Sequence, residues 1–173
     1  CGKYVEIWND VFMQYNKNAD GTFSPLKQKN VDTGMGLERT LVALHGYHDV
    51  FQIDTFWPLI QKIEELCGKK YSTDTATTKS MRIVADHLRT ATMIMADDRG
   101  IVPSNVDQGY VVRRLIRRAI RYARQLGLKG KLCSDVASAV VEIFRDVYPE
   151  VGRKKKKVFA ELVKEEEKFD RTL

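Results

Sequence analysis

The chain of 173 residues is 43% apolar and 30% charged, with 4 prolines and 11 glycines, which excludes disordered, collagen-like and low-complexity proteins. Its length suffices for one domain or two small ones, and the 3 cysteines, Cys1, Cys67 and Cys133, form no CxxC pair, so neither a disulfide framework nor a cysteine zinc site is encoded. The net charge of +6 is local: residues 108–134 hold eight of the 29 basic residues and no acidic one, leaving 21 basic against 23 acidic elsewhere, and such a stripe is the footprint of a polyanion partner.

Residues 3–15 (KYVEIWNDVFMQY) are rich in β-branched and aromatic side chains and predict a strand. The turn chemistry of 16–21 (NKNADG) then predicts a return strand over 22–31, so the pair forms an antiparallel hairpin. DTGMG breaks that pattern, and LERTLVALHG reads as a short helix closed by Gly46. From residue 54 onward only helices are expected. Phe56, Leu59, Ile60, Ile63 and Leu66 fall at helical spacing between a cap at Asp54 and a stop at Gly68. Further helices are predicted over 77–96, 110–126, 132–147 and 153–172, the last a charged and solvated one. The fold class is α+β, mostly α: a short antiparallel hairpin with one helix over 1–50, then an all-helical part over 51–173.

No run of about 18 apolar residues and no basic-then-apolar leader occurs, so a cytoplasmic protein without a membrane span is expected. The first residue is Cys1 rather than Met, which suggests a piece of a longer chain.

The sharpest local signal is 31–39 (VDTGMGLER): a carboxylate at a strand end, two glycines with one residue between them, then a helix carrying Glu38 and Arg39 in its first turn. Glycines admit a ligand close to the backbone, a helix N-terminus favours anions and Arg forks onto phosphate. The same residues also suit a plain turn with Asp32 or Thr33 as helix cap. In the segment 110–126 all six arginines, Arg113, Arg114, Arg117, Arg118, Arg121 and Arg124, fall within an arc of roughly 140° at about 100° per residue, opposite an apolar face. With no acidic neighbour in the segment they repel one another, so phosphate-backbone contact is expected. Upstream, VPSNVDQG places Asn105 near the start of that helix, where its side chain offers both donor and acceptor to a base edge. Arg82, Asp86 and Arg89 share a helix face as an ion-pair ladder, His87 off that face reads as a hydrogen-bonded structural histidine, and His45 and His48 lack a third ligand at metal spacing, so no metal site is assigned.

The stretch 31–39 resembles motif 3 of class II aminoacyl-tRNA synthetases, and its DTGMGLER wording is similar to the alanyl-tRNA synthetases. Ordered segments extend the resemblance over nearly the whole chain: 6–14 (EIWNDVFMQ), 82–89 (RIVADHLR), 102–105 (VPSN), 109–118 (GYVVRRLIRR) and 165–173 (EEEKFDRTL). The resemblance implies part of an alanine–tRNA ligase that activates alanine with ATP, helped by Mg²⁺, and transfers it to tRNA(Ala). It assigns Asn9, Val11, Asp32 and Gly34 to the alanine pocket, Asp32 holding the ammonium and Gly34 keeping the pocket small. It assigns Arg39, with Gly36 beside it, to ATP, and Asn105 to the wobble guanine-uracil pair of the acceptor stem, with the six arginines on the RNA backbone. Where that family has Gly and Arg after the Asn, this chain has Asp107 and Gln108. Nothing here resembles the family's motifs 1 and 2, so the chain alone is expected not to activate alanine. A non-enzymatic RNA-binding module and one subunit of a split synthetase remain as alternatives, and the strand edges offer a route to self-association.

Overall fold

The computed structural model describes residues 4–172, so Cys1 lies outside the described residues, as does the end of the segment 165–173. The chain divides into two compact units, at residues 1–53 and 54–173.

In the first unit, β1 (Trp8–Lys17) and β2 (Phe23–Met35) pair antiparallel. The turn between them depends on Gly21, whose φ of +85° is in the left-handed region, and on Asp20, whose carboxylate accepts from Thr22 N at 2.9 Å and Thr22 Oγ1 at 2.7 Å. Those bonds hold the Asp20 carboxyl below its ordinary range. The DTGM stretch does not break the strand as its sequence suggested. It continues β2, because Asp32, Thr33 and Gly34 pair with Val11, Asp10 and Asn9 across the ladder. Helix α1 (Leu37–His45) begins at Gly36 with no side-chain cap, so neither Asp32 nor Thr33 caps it, and Gly46 ends it at φ +65°. A single 3-10 turn, Val50–Gln52, is capped by Asp49. Within this unit both hairpin faces are exposed, one of them carrying Trp8, Phe12, Val31 and Met35.

The second unit is a helical bundle: α2 (Trp57–Cys67), α3 (Thr75–Ala96), α4 (Asp107–Gln125), α5 (Leu132–Phe144), α6 (Pro149–Arg153) and α7 (Lys155–Asp170). Asp54 is not the cap of α2. Pro58 sits in its first turn, where the fixed φ and missing N–H cost nothing, and Gly68 closes it in the left-handed region. Helix α3 starts earlier than predicted because the Asp74 carboxylate accepts from Thr77 N at 2.8 Å. The helix predicted over 153–172 is α7, and a short α6, begun by Pro149 and ended at Lys154, precedes it. The bundle closes around Leu59, Ile63, Met81, Leu88, Ile116, Ile120 and Leu162, all fully buried, each contributing roughly 1.5–3 kcal/mol of transfer free energy. No helix among the described residues is long and apolar enough to cross a membrane.

Candidate functional site

Strand alternation puts residues 9 and 11 on one side of β1, and the ladder pairs Asn9 with Gly34 and Val11 with Asp32. The four residues assigned to an amino-acid pocket therefore share one face of the hairpin. Gly34 leaves room for Asn9: a Cβ built on it would lie 2.9 Å from Asn9 Oδ1, so a side chain there would displace the Asn9 amide. At the end of the same ladder Gly36 N donates to Ile7 O at 2.9 Å, and Arg39, one turn into α1, sends Nη1 to Glu6 O at 3.0 Å. That bond tethers one guanidinium nitrogen to β1's leading segment while the side chain stays exposed. The fork is thus aimed rather than free, which suits an anion ligand.

The arginine face of α4 is not uniform. Glu165 of α7, only 2% exposed, accepts from Arg117 Nε at 2.7 Å, and the same oxygen stands 3.1 Å from Arg113 Nε. Arg124 Nη2 donates to both carboxylate oxygens of Asp170, at 2.6 and 2.8 Å, and its Nη1 donates to Leu128 O. The missing counter-charge that argued for six phosphate contacts is therefore supplied for three arginines by α7. Arg114, Arg118 and Arg121 remain on the exposed side and line a cleft with Arg117, Tyr122 and Phe169. The expectation of a solvated α7 fails for the same reason. Glu165 and Glu166 continue the buried row of Val158 and Leu162, a spacing visible in the sequence but masked by the surrounding charges.

Asn105 does not cap α4, whose N-cap is Val106 without a side-chain bond. Its Oδ1 instead accepts from Arg113 Nη1, which draws the loop onto the basic face. Ser104 fixes the loop by donating to Val106 O at 2.8 Å and to the helix through Ser104 N and Gly109 O at 3.0 Å. The approach is so close that a Cβ on Gly109 would meet Ser104 Oγ at 2.3 Å and Val102 O at 2.6 Å. Asp107 follows with φ +48°, a left-handed conformation that favours glycine and that Asp tolerates better than most residues.

In α3, Asp86 Oδ2 lies 2.8 Å from His87 Nδ1, and that bond holds the Asp86 carboxyl below its ordinary range, against burial and with help from the charges of His87 and Arg89. Arg82 Nε donates to Tyr71 at 2.6 Å and Arg89 stacks 3.7 Å from the Phe56 ring, so this row is largely structural. A wider cleft at the start of α3, about 810 Å³ against about 390 Å³ on α4, is lined by Asp74 as well as Lys79 and Arg82. With one carboxylate against two cations, one of which, Arg82, is bonded to Tyr71, it is a poorer anion site than the carboxylate-free cleft on α4. The described residues contain no group of three or more His, Cys, Asp or Glu placed to hold a metal ion.

The family profile described as tRNA synthetases class II (A) matches residues 1–173. The chain belongs to that family. Among relatives of this class II synthetase chain, the alanine–tRNA ligase of Borrelia hermsii is 49% identical over 173 residues, 100% of this chain and 29% of its own length. That of Treponema pallidum is 51% identical over 169 residues, 98% of this chain and 28% of its own length. That of Geobacillus thermodenitrificans is 43% identical over 171 residues, 99% and 19% respectively. The chain thus spans less than a third of the length of these curated relatives.

Proposed function

We propose that this class II synthetase chain is the part of an alanine–tRNA ligase that completes the alanine pocket and binds the acceptor stem of tRNA(Ala). The observation that carries the reading is the junction of Asn105 with the arginine face of α4: a group able to read a base edge is tied by Arg113 to a row of exposed arginines. Residues 1–50 belong to the catalytic domain and 51–173 to the acceptor-stem domain. Arg114, Arg118 and Arg121 take backbone phosphates, Asn105 reads the wobble pair, and Arg113, Arg117 and Arg124 reach RNA only beside their carboxylate partners.

In the hairpin, Asp32 takes the alanine ammonium, Gly34 and Val11 bound the methyl group, Asn9 orients the carboxyl end, and Arg39, with Gly36 admitting close approach, takes an ATP phosphate. ATP enters as substrate with Mg²⁺. The open edges of the two-stranded sheet favour self-pairing of isolated chains, which light scattering would detect. The reaction takes place in the cytoplasm.

Titration of this chain with acceptor-stem hairpins tests the reading. Tighter binding to the wobble hairpin than to its Watson-Crick counterpart, lost in Asn105→Ala, supports it. Equal binding that falls steeply with salt would instead leave a general RNA-binding module.

A further inference from the structure

We infer that Glu165 is a positioning residue for base recognition, setting through Arg113 which end of the Asn105 amide faces the RNA. The inference rests on the reading of Asn105 given above. Three contacts form the relay. Glu165 lies on α7 at 2% exposure, and its Oε1 stands 3.1 Å from Arg113 Nε and 2.7 Å from Arg117 Nε. Arg113, itself only 14% exposed, extends Nη1 to Asn105 Oδ1.

A guanidinium carries donors and no acceptor, so the oxygen of the Asn105 amide must face Arg113. The NH₂ group of Asn105 is then the end left outward, and the loop presents donors to a base edge. Arg113 and Arg117 stand one helical turn apart and repel each other unless a shared anion holds both. Glu165 is that anion, supplied from a helix that does not itself carry the reading loop. Without it Arg113 is released toward solvent, the Asn105 amide turns freely, and a donor-only face becomes one that also accepts. Discrimination falls while phosphate attraction remains, because Arg114, Arg118 and Arg121 are untouched.

The test uses the whole chain and two acceptor-stem hairpins, one with the wobble pair and one with a Watson-Crick pair. Glu165→Gln removes the charge and keeps the shape, and is expected to lower the preference for the wobble hairpin about tenfold, with the salt slope unchanged. In an Asn105→Ala background the same substitution is expected to change the preference no further, as a residue acting only through Asn105 must. Arg113→Lys, whose single ammonium cannot span both partners, should match Glu165→Gln and serves if that variant does not fold. Full preference retained in either folded variant, or an effect that adds to Asn105→Ala, overturns the inference. A second readout needs no RNA: the side-chain amide NMR signals of Asn105 should shift in Glu165→Gln, and unchanged signals overturn the relay alone. Absence of any wobble preference in the unaltered chain would instead overturn the reading of Asn105, and the inference with it.

Discussion

Asn9 and Gly34 are ladder partners, and Asn9 Oδ1 stands 2.9 Å from the point where a Cβ on residue 34 would be. The contact is with the far end of a side chain, not with backbone, and Gly34 does not lie in the left-handed region. Gly34→Ala therefore asks Asn9 to swing aside without straining the strand. The expected outcome is a melting temperature within about 2 °C of the original and a KM for alanine raised about tenfold or more in a full-length ligase carrying this segment. Pyrophosphate exchange and calorimetry measure the two. A large fall in stability with KM unchanged would count against the pocket.

Exposed and paired arginines should behave differently. Arg118→Ala is expected to weaken RNA binding uniformly across sequences and to reduce the salt slope by about 1, with stability unchanged. Arg117→Ala removes one of two partners from the buried Glu165 and should cost about 1–2 kcal/mol of stability, discounted because the Arg117 side chain is 36% exposed. Urea titration and binding at several salt concentrations separate the two effects.

The first turn of α4 has one position that accepts no side chain and one whose backbone strains most of them. Gly109→Ala drives a Cβ into Ser104 Oγ and Val102 O, so a loss of about 1–3 kcal/mol is expected. At Asp107, with φ +48°, a Gly should be within about 0.5 kcal/mol of the original, whereas Val should cost about 1–3 kcal/mol. Asp107→Gly also removes a negative charge beside the basic face, so RNA binding at low salt should tighten. Equal stability of Gly and Val variants would contradict the backbone geometry.

Glu166 predicts a pH effect. It is 3% exposed, and burial pushes its carboxyl above the ordinary value of 4.5, only partly offset by the bond from Cys133 N and the charge of Arg124. A raised folded-state value means the folded chain binds more protons, so this group contributes stability below 4.5 that is lost as pH rises from there through the folded value. Asp20, Asp74 and Asp86, all shifted downward, act in the opposite sense. The difference in unfolding free energy between the original chain and Glu166→Gln isolates the effect and should fall as pH rises from about 4.5 through the raised folded-state value, then level off. A flat difference would show that Glu166 is equally at ease charged and neutral.

The sequence by itself determined the hairpin, the helical remainder and the one-sided arginine row, because turn chemistry, helical period and glycine stops act over a few residues. It also carried the family, through ordered wording along the chain. Boundaries failed where a nearby residue competed: Pro58 displaced Asp54 at the start of α2, and ladder pairing carried Asp32 through Gly34 into β2. Only the tertiary structure decided that Glu165, 48 residues beyond Arg117, is a buried counter-charge and not part of a solvated run. It alone decided that Asn105 bonds Arg113 and that Asn9 meets Gly34. Burial, register and the pairing of charges across helices are set by which surfaces meet, and no local pattern contains that information.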